Sequence, residues 1–170
     1  VLDRHHLRVS GIVITHAHID HIGAAARLRR QTQAPVYMNE NDLALRAQLA
    51  MQAQLLGMEE PEETEIDITL QDAATIELAA SKLIVLHTPG HTQGSISLHL
   101  PSEKKLLAGD TLFRDSIGRT DLPGGDGHQI LVSIRDKLLT LDDDTEVTPG
   151  HGPATTIGRE REFNYFLRTL

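Results

Sequence analysis

Residues 11–30 read G-I-V-I-T-H-A-H-I-D-H-I-G-A-A-A-R-L-R-R, and the change of character at Thr15 decides the fold. Gly11 to Thr15 is a β-branched apolar run, too short for a helix, and is expected to form a buried strand. Ile22 to Arg30 reads as a helix. Between them, T-H-A-H-I-D-H at 15–21 sets His16, His18, Asp20 and His21 in a strand-to-helix loop. Burying Asp20 there without a cation costs several kcal/mol. Structural zinc supplies on the order of 10 kcal/mol of binding energy, so the segment reads as a ligand cluster.

Working outward, Pro35 to Met38 reads as a second strand and Asn41 to Leu56 as a helix ended by Gly57. Glu59 to Asp67 is expected to be a solvated acidic connection. Lys82 to Leu86, Ser95 to Leu100 and Lys105 to Leu107 read as strands separated by Gly and Pro signals. Ile130 to Leu141 follows as an amphipathic helix, Glu146 to Thr148 as a short strand and Arg159 to Leu167 as a last helix. Strands clustered in mid-chain among helices predict an α/β (α+β) protein with helices covering sheets. One domain, 1–170, is the economical reading.

Composition narrows the function. Acidic residues outnumber basic ones 24 to 16, for a formal charge of −8, which disfavours nucleic acid as a partner. There is no cysteine, so disulfides, thiolate zinc sites and cysteine nucleophiles are excluded. No long apolar run is present and the opening Val-Leu-Asp-Arg-His-His has no secretory apolar segment, so a cytoplasmic protein without a membrane partner is expected. There is no G-x-S-x-G either. Three Phe, two Tyr and no Trp leave the core to Leu, Ile, Val and Ala, while ten histidines call for a separate explanation.

Three further polar clusters fall where strands are expected to end: His91 in T-P-G-H-T (88–92), Asp110 in G-D-T (109–111) and His151 in P-G-H-G (149–152). Strand ends joined by Gly-containing loops are where α/β folds gather reactive groups. Imidazole and carboxylate suit zinc, iron or manganese without any thiolate. Five His and two Asp exceed the needs of one tetrahedral ion, whereas two ions sharing a bridging carboxylate use all seven. His5, His6, His99 and His128 read as ordinary surface or core histidines; His87, just before T-P-G-H, reads as structural or as a support for the site.

T-H-A-H-I-D-H, T-P-G-H-T, G-D-T-L-F and P-G-H-G, in this order and spacing, resemble the metallo-β-lactamase superfamily. S-I-G-R-T-D-L-P-G-G-D (116–126) and G-P-A-T-T-I-G-R-E-R (152–161) resemble its short glyoxalase II-like metallo-hydrolases. The resemblance implies an αββα sandwich and two divalent ions, zinc first, with iron or manganese as options. His16, His18 and His91 would hold one ion, Asp20, His21 and His151 the other, and Asp110 would bridge them. It also implies a metal-bound hydroxide served by the carboxylates Asp20 and Asp110, and a small acyl or thioester substrate such as a hydroxyacyl-glutathione. Family members carry strands ahead of the first motif, so the sandwich is expected to lack its N-terminal strands here. Arg119 either meets a substrate carboxylate or pairs with Asp121; Arg114 and Asp115 are expected to shape the same loop. The Asp142–Asp144 run lacks calcium-loop spacing and is expected to be solvated. Competing readings are a mononuclear iron persulfide dioxygenase and a metal-binding module without activity.

Overall fold

The chain is described by a computed structural model covering residues 2–78 and 81–168. It divides into two units, Val1–Leu70 and Gln71–Leu170. In the first, strand β1 (Ile12–Val13) leads to helices α1 (Ile19–Ile22) and α2 (Ala25–Thr32), then to strand β2 (Val36–Met38), helices α3 (Leu43–Arg46) and α4 (Leu49–Leu56), and strand β3 (Ile68–Thr69). The three strands form a parallel sheet, β1-β2-β3, with Ile12 opposite Val36 and Tyr37 opposite Ile68. Ile12, Ile14, Ile19, Ile22, Val36 and Met38 are buried in its core, as the aliphatic composition requires.

Two expectations for this unit are corrected. The helix expected over 41–56 is broken, because Gln48 adopts a tight turn (φ −101°, ψ 11°). Leu45 O there accepts from Gln48 N at 3.0 Å and from the Gln52 side chain at 3.3 Å. Nor is the acidic connection merely solvated. Glu62 pairs with Arg30, Glu63 with Arg46 at 3.5 Å, and Glu65 with Arg29 at 3.1 Å. Asp67 receives Arg29 at 2.7 Å and the Val36 amide at 2.8 Å. The Arg29 hydrogen bond is the main reason its carboxyl falls from 3.8 to about 2.

The second unit is built on a six-stranded sheet. Its strands are β4 (Thr75–Leu78), β5 (Ser81–His87), β6 (Ile96–Leu100), β7 (Lys105–Gly109), β10 (Glu146–Pro149) and β11 (Thr155–Thr156), in the order β11-β10-β7-β6-β5-β4. A two-residue hairpin, β8 (Leu112–Phe113) and β9 (Ser116–Ile117), stands apart from it. Because β6 is antiparallel to both β5 and β7, and β10 is parallel to β7, strands β5, β7 and β10 run the same way. His91, Asp110 and His151 follow these three strands, so sheet topology alone puts them at one edge.

Helix α5 (Gly127–Ser133) begins earlier than the 130–141 expectation, because the Asp126 carboxylate accepts from the His128 and Gln129 amides at 2.9 Å. It continues as a π-helical turn, Ile134–Leu138. Helix α6 (Ile157–Phe163) is capped by Thr156 and stops at Asn164, whose backbone turns extended (φ −70°, ψ 117°) before a 3₁₀ turn, Tyr165–Leu167. Ile130, Ile134, Leu138, Val147 and Ile157 form the buried core. No helix among the described residues is long and apolar enough to cross a membrane.

Candidate metal centre

In the first unit, the T-H-A-H-I-D-H segment is only partly a loop. His18 stands at the N-terminus of α1, and Asp20 and His21 lie on its single turn. The His16 ring lies 4.0 Å from that of His21 and 5.0 Å from that of His18, centroid to centroid. Asp20 Oδ2 is 3.6 Å from His21 Nε2. The segment's backbone is held by two side chains that sequence reasoning missed. Buried Asp42 accepts from the Ala17 amide at 2.8 Å, and Gln52 accepts from the Ile19 amide at 3.0 Å while donating to Ala17 O at 3.3 Å. Both residues sit 25 or more positions away in sequence, and nothing local marks them.

In the second unit, His91, Asp110 and His151 come together. Asp110 Oδ2 lies 3.7 Å from His91 Nε2 and 3.7 Å from His151 Nε2. Those distances exceed the 2.7–3.2 Å of a hydrogen bond. They approach the roughly 3.4 Å that separates two ligand atoms about 2.1 Å from a shared tetrahedral ion. One carboxylate oxygen thus lies at ligand-to-ligand distance from two imidazole nitrogens. His91 is buried at 3 % side-chain exposure and Asp110 at 11 %, whereas His151 is open at 57 %.

Ring orientation also fits a metal. His91 Nδ1 donates to Arg119 O at 2.8 Å, which leaves the lone pair on Nε2. A backbone carbonyl fixing the tautomer of a ligating histidine is a usual outer contact of metal sites. His16 Nδ1 is bonded to Thr15 Oγ1 at 3.2 Å, and its Nε2 is buried. The donor set holds only imidazoles and carboxylates, the chemistry of zinc, iron and manganese.

The loops bearing these ligands are locked together. Thr88 Oγ1 bonds Ser97 Oγ at 3.1 Å and Thr111 Oγ1 at 3.0 Å, joining the His91 and Asp110 loops through buried hydroxyls. Gly150 N donates to Gly109 O at 2.8 Å, joining the His151 loop to them. Two glycines are obligatory: a Cβ on Gly90 (φ 134°) would lie 2.3 Å from Ile130 N, and one on Gly118 would lie 1.9 Å from Asp110 O.

A cavity of about 460 Å³ opens beside His91, Asp110 and His151, walled by Phe113, Arg114, Ser116, Ile117, Arg119, Gly152 and Pro153. Arg119 lines it but holds Asp121 with two bonds, at 2.8 and 2.7 Å. His87 donates from Nε2 to Gln93 O at 2.9 Å and so has a structural role. His5, His6 and His128 are exposed, and His99 is half-buried in β6.

Comparison with known proteins identifies the family. A profile of the metallo-beta-lactamase superfamily matches residues 2–151. Hydroxyacylglutathione hydrolase GloC of Haemophilus influenzae (strain ATCC 51907 / DSM 11121 / KW20 / Rd) is 38 % identical over 170 residues, covering 96 % of this chain and 78 % of that protein. Among solved structures, the BLEG-1 B3 metallo-beta-lactamase is 40 % identical, with a TM-score of 0.87 over 98 % of this chain and 81 % of its own. TTHA1623 in a di-iron-bound form is 36 % identical, with a TM-score of 0.88 over the same shares of both chains. Motif order, ligand chemistry and these matches together place the chain in the metallo-β-lactamase superfamily, with the metallo-β-lactamase fold.

Proposed function

We propose that the chain is a dinuclear metallo-hydrolase acting on a small thioester of the hydroxyacyl-glutathione kind. The observation that carries this reading is Asp110 Oδ2 lying 3.7 Å from both His91 Nε2 and His151 Nε2 beside an open cavity. In it, His16, His18 and His91 would hold one ion, Asp20, His21 and His151 the second, and Asp110 would be shared. Bound divalent ions lower the pKa of water to roughly 7 and polarise a carbonyl.

The chain's own residues do the rest. The carboxylates of Asp110 and Asp20 would orient the attacking water, and the Asp20 oxygen not given to an ion can accept its proton. His91, fixed through Arg119 O, keeps its ligand nitrogen turned the right way. The apolar wall of Phe113, Ile117 and Pro153 excludes bulk water from one side of the substrate. The similarity to GloC supports the thioester, and the net charge of −8 supports a small molecule over nucleic acid.

A second reading has its own observation: the 40 % identity to a B3 metallo-beta-lactamase makes a lactam amide an alternative acyl group for the same ligands. The di-iron-bound form of TTHA1623 makes iron the competitor of zinc. Metal quantification on purified protein, with parallel screens of thioesters, a chromogenic cephalosporin and oxygen uptake on glutathione persulfide, tests all of these. Two ions per chain with thioester turnover is the expected result. One iron per chain with oxygen consumption overturns it, and lactam turnover without thioester turnover replaces the substrate.

A further inference from the structure

Two arginines wall the cavity beside His91, Asp110 and His151, and they differ in how far their charge is committed. Arg119 gives Nε and Nη2 to the two oxygens of Asp121, a complete bidentate pair. Among the described residues, the carboxylate within ion-pair reach of Arg114 is Asp115, at 3.8 Å from Nε, which is no hydrogen bond. Both Asp115 oxygens are already taken by Arg159, at 2.8 Å to Oδ1 and 3.1 Å to Oδ2. Arg114 thus keeps its planar donor fork available at 48 % side-chain exposure.

The turn that carries it is rigidly built. Arg114 and Asp115 form the two-residue turn between β8 and β9, with Asp115 in the left-handed region (φ 61°). Behind the turn, the fully buried Glu160 accepts from the Asp115 amide at 2.8 Å, Arg159 Nη1 at 2.7 Å, Thr155 Oγ1 at 2.5 Å and Asn164 Nδ2 at 2.9 Å. Asn164 Nδ2 also donates to Ser116 O at 3.0 Å. This network holds the Asp115 backbone through Glu160 and its carboxylate through Arg159, and so fixes the turn that carries Arg114.

We infer that Arg114 is the anion-recognising residue of this cavity: it receives a carboxylate of the substrate, and so sets a preference for anionic substrates over neutral ones of the same shape. The identity of that substrate as a thioester rests on the function proposed above; the charge preference does not.

The test is calorimetric titration of the zinc-loaded protein with S-hexylglutathione, which carries two carboxylates, and with its dimethyl ester, which carries none. The dicarboxylate is expected to bind about tenfold more tightly, the size of one charge-assisted hydrogen bond. Arg114→Gln should erase that preference at unchanged melting temperature, Arg114→Lys should restore part of it, and Arg135→Gln, an exposed pair with Asp136, should leave it intact. Equal binding of the two ligands by the native protein, binding of neither, a preference that survives Arg114→Gln, or its loss in Arg119→Gln instead, overturns the inference. Thioester hydrolysis on the same samples separates the two claims. Turnover without a charge preference removes the role of Arg114 alone, and a charge preference lost in Arg114→Gln without any turnover removes the thioesterase alone.

Discussion

A single carboxylate oxygen, Asp110 Oδ2, stands between two imidazoles that arrive from separate strands. Its replacement is therefore the most discriminating single change. Asp110→Ala is expected to abolish stable two-metal occupancy and to lower hydrolysis by more than about a hundredfold, since a bridging ligand serves both ions and ligand loss typically removes several kcal/mol of binding. His99→Ala, on a half-buried strand position, should change neither. Metal content per chain after dialysis checks both, and retention of two ions in Asp110→Ala would sink the bridging assignment. The ligand candidates were legible because His and Asp recur at strand-end glycine motifs. Asp42 and Gln52 were not, because an ordinary acid and amide acquire their role only by reaching backbone groups 25 and 33 residues distant.

At the scale of elements, the long apolar strands β5, β6 and β7 were readable from their runs of Leu, Ile and Val. The short ones β3, β4, β8, β9 and β11 were not: two to four residues without a clear apolar run give no periodicity, and what holds them is pairing with a neighbouring strand and, at the β8–β9 turn, a remote side chain. Glu160 illustrates this. In sequence it is one more acidic residue in G-R-E-R. In the fold it is fully buried and joins α6 to the β8–β9 turn through Arg159, Asn164 and the Asp115 amide. Removing it takes the acceptor from the Asp115 amide and the Thr155 hydroxyl and leaves Arg159 with Asp115 alone. Glu160→Ala is therefore expected to cost about 3 kcal/mol of stability. Glu160→Gln, which preserves the shape and two acceptor lone pairs, should cost less. Denaturant titration of both variants measures the difference, and equal losses would mean that the carboxylate charge, rather than the shape and the remaining acceptor, carries the whole contribution of Glu160.

Over the whole molecule, the unequal acid and base content appears as paired surface charges with a pH signature. Asp67 lies well below the ordinary carboxylate range, chiefly through Arg29, and Asp121 likewise through Arg119, each at about 2. A folded value below the unfolded one contributes stability that is fully present above about pH 4 and is lost as pH falls to about 2. Asp67→Asn should flatten the acid limb of the stability curve in that window and leave the neutral region's pH dependence unchanged. A mutant curve parallel to the native one below pH 4 would count against it. Metal removal acts at the same scale with a larger effect. A ligand that binds only the folded chain stabilises it by about 2.7 kcal/mol at a hundred times its dissociation constant. For a chain of this length, that corresponds to a melting-temperature shift of roughly 5–10 °C. Chelator-treated protein should melt lower by that amount, and stoichiometric zinc should restore the higher transition. Asp110→Ala should respond to chelator and zinc with a smaller shift, because without the shared carboxylate only the three-histidine set remains complete enough to hold an ion tightly. A chelator-insensitive native protein would show that the seven residues fold without the help of an ion, and the argument from ligand chemistry to a metal centre would fall with it.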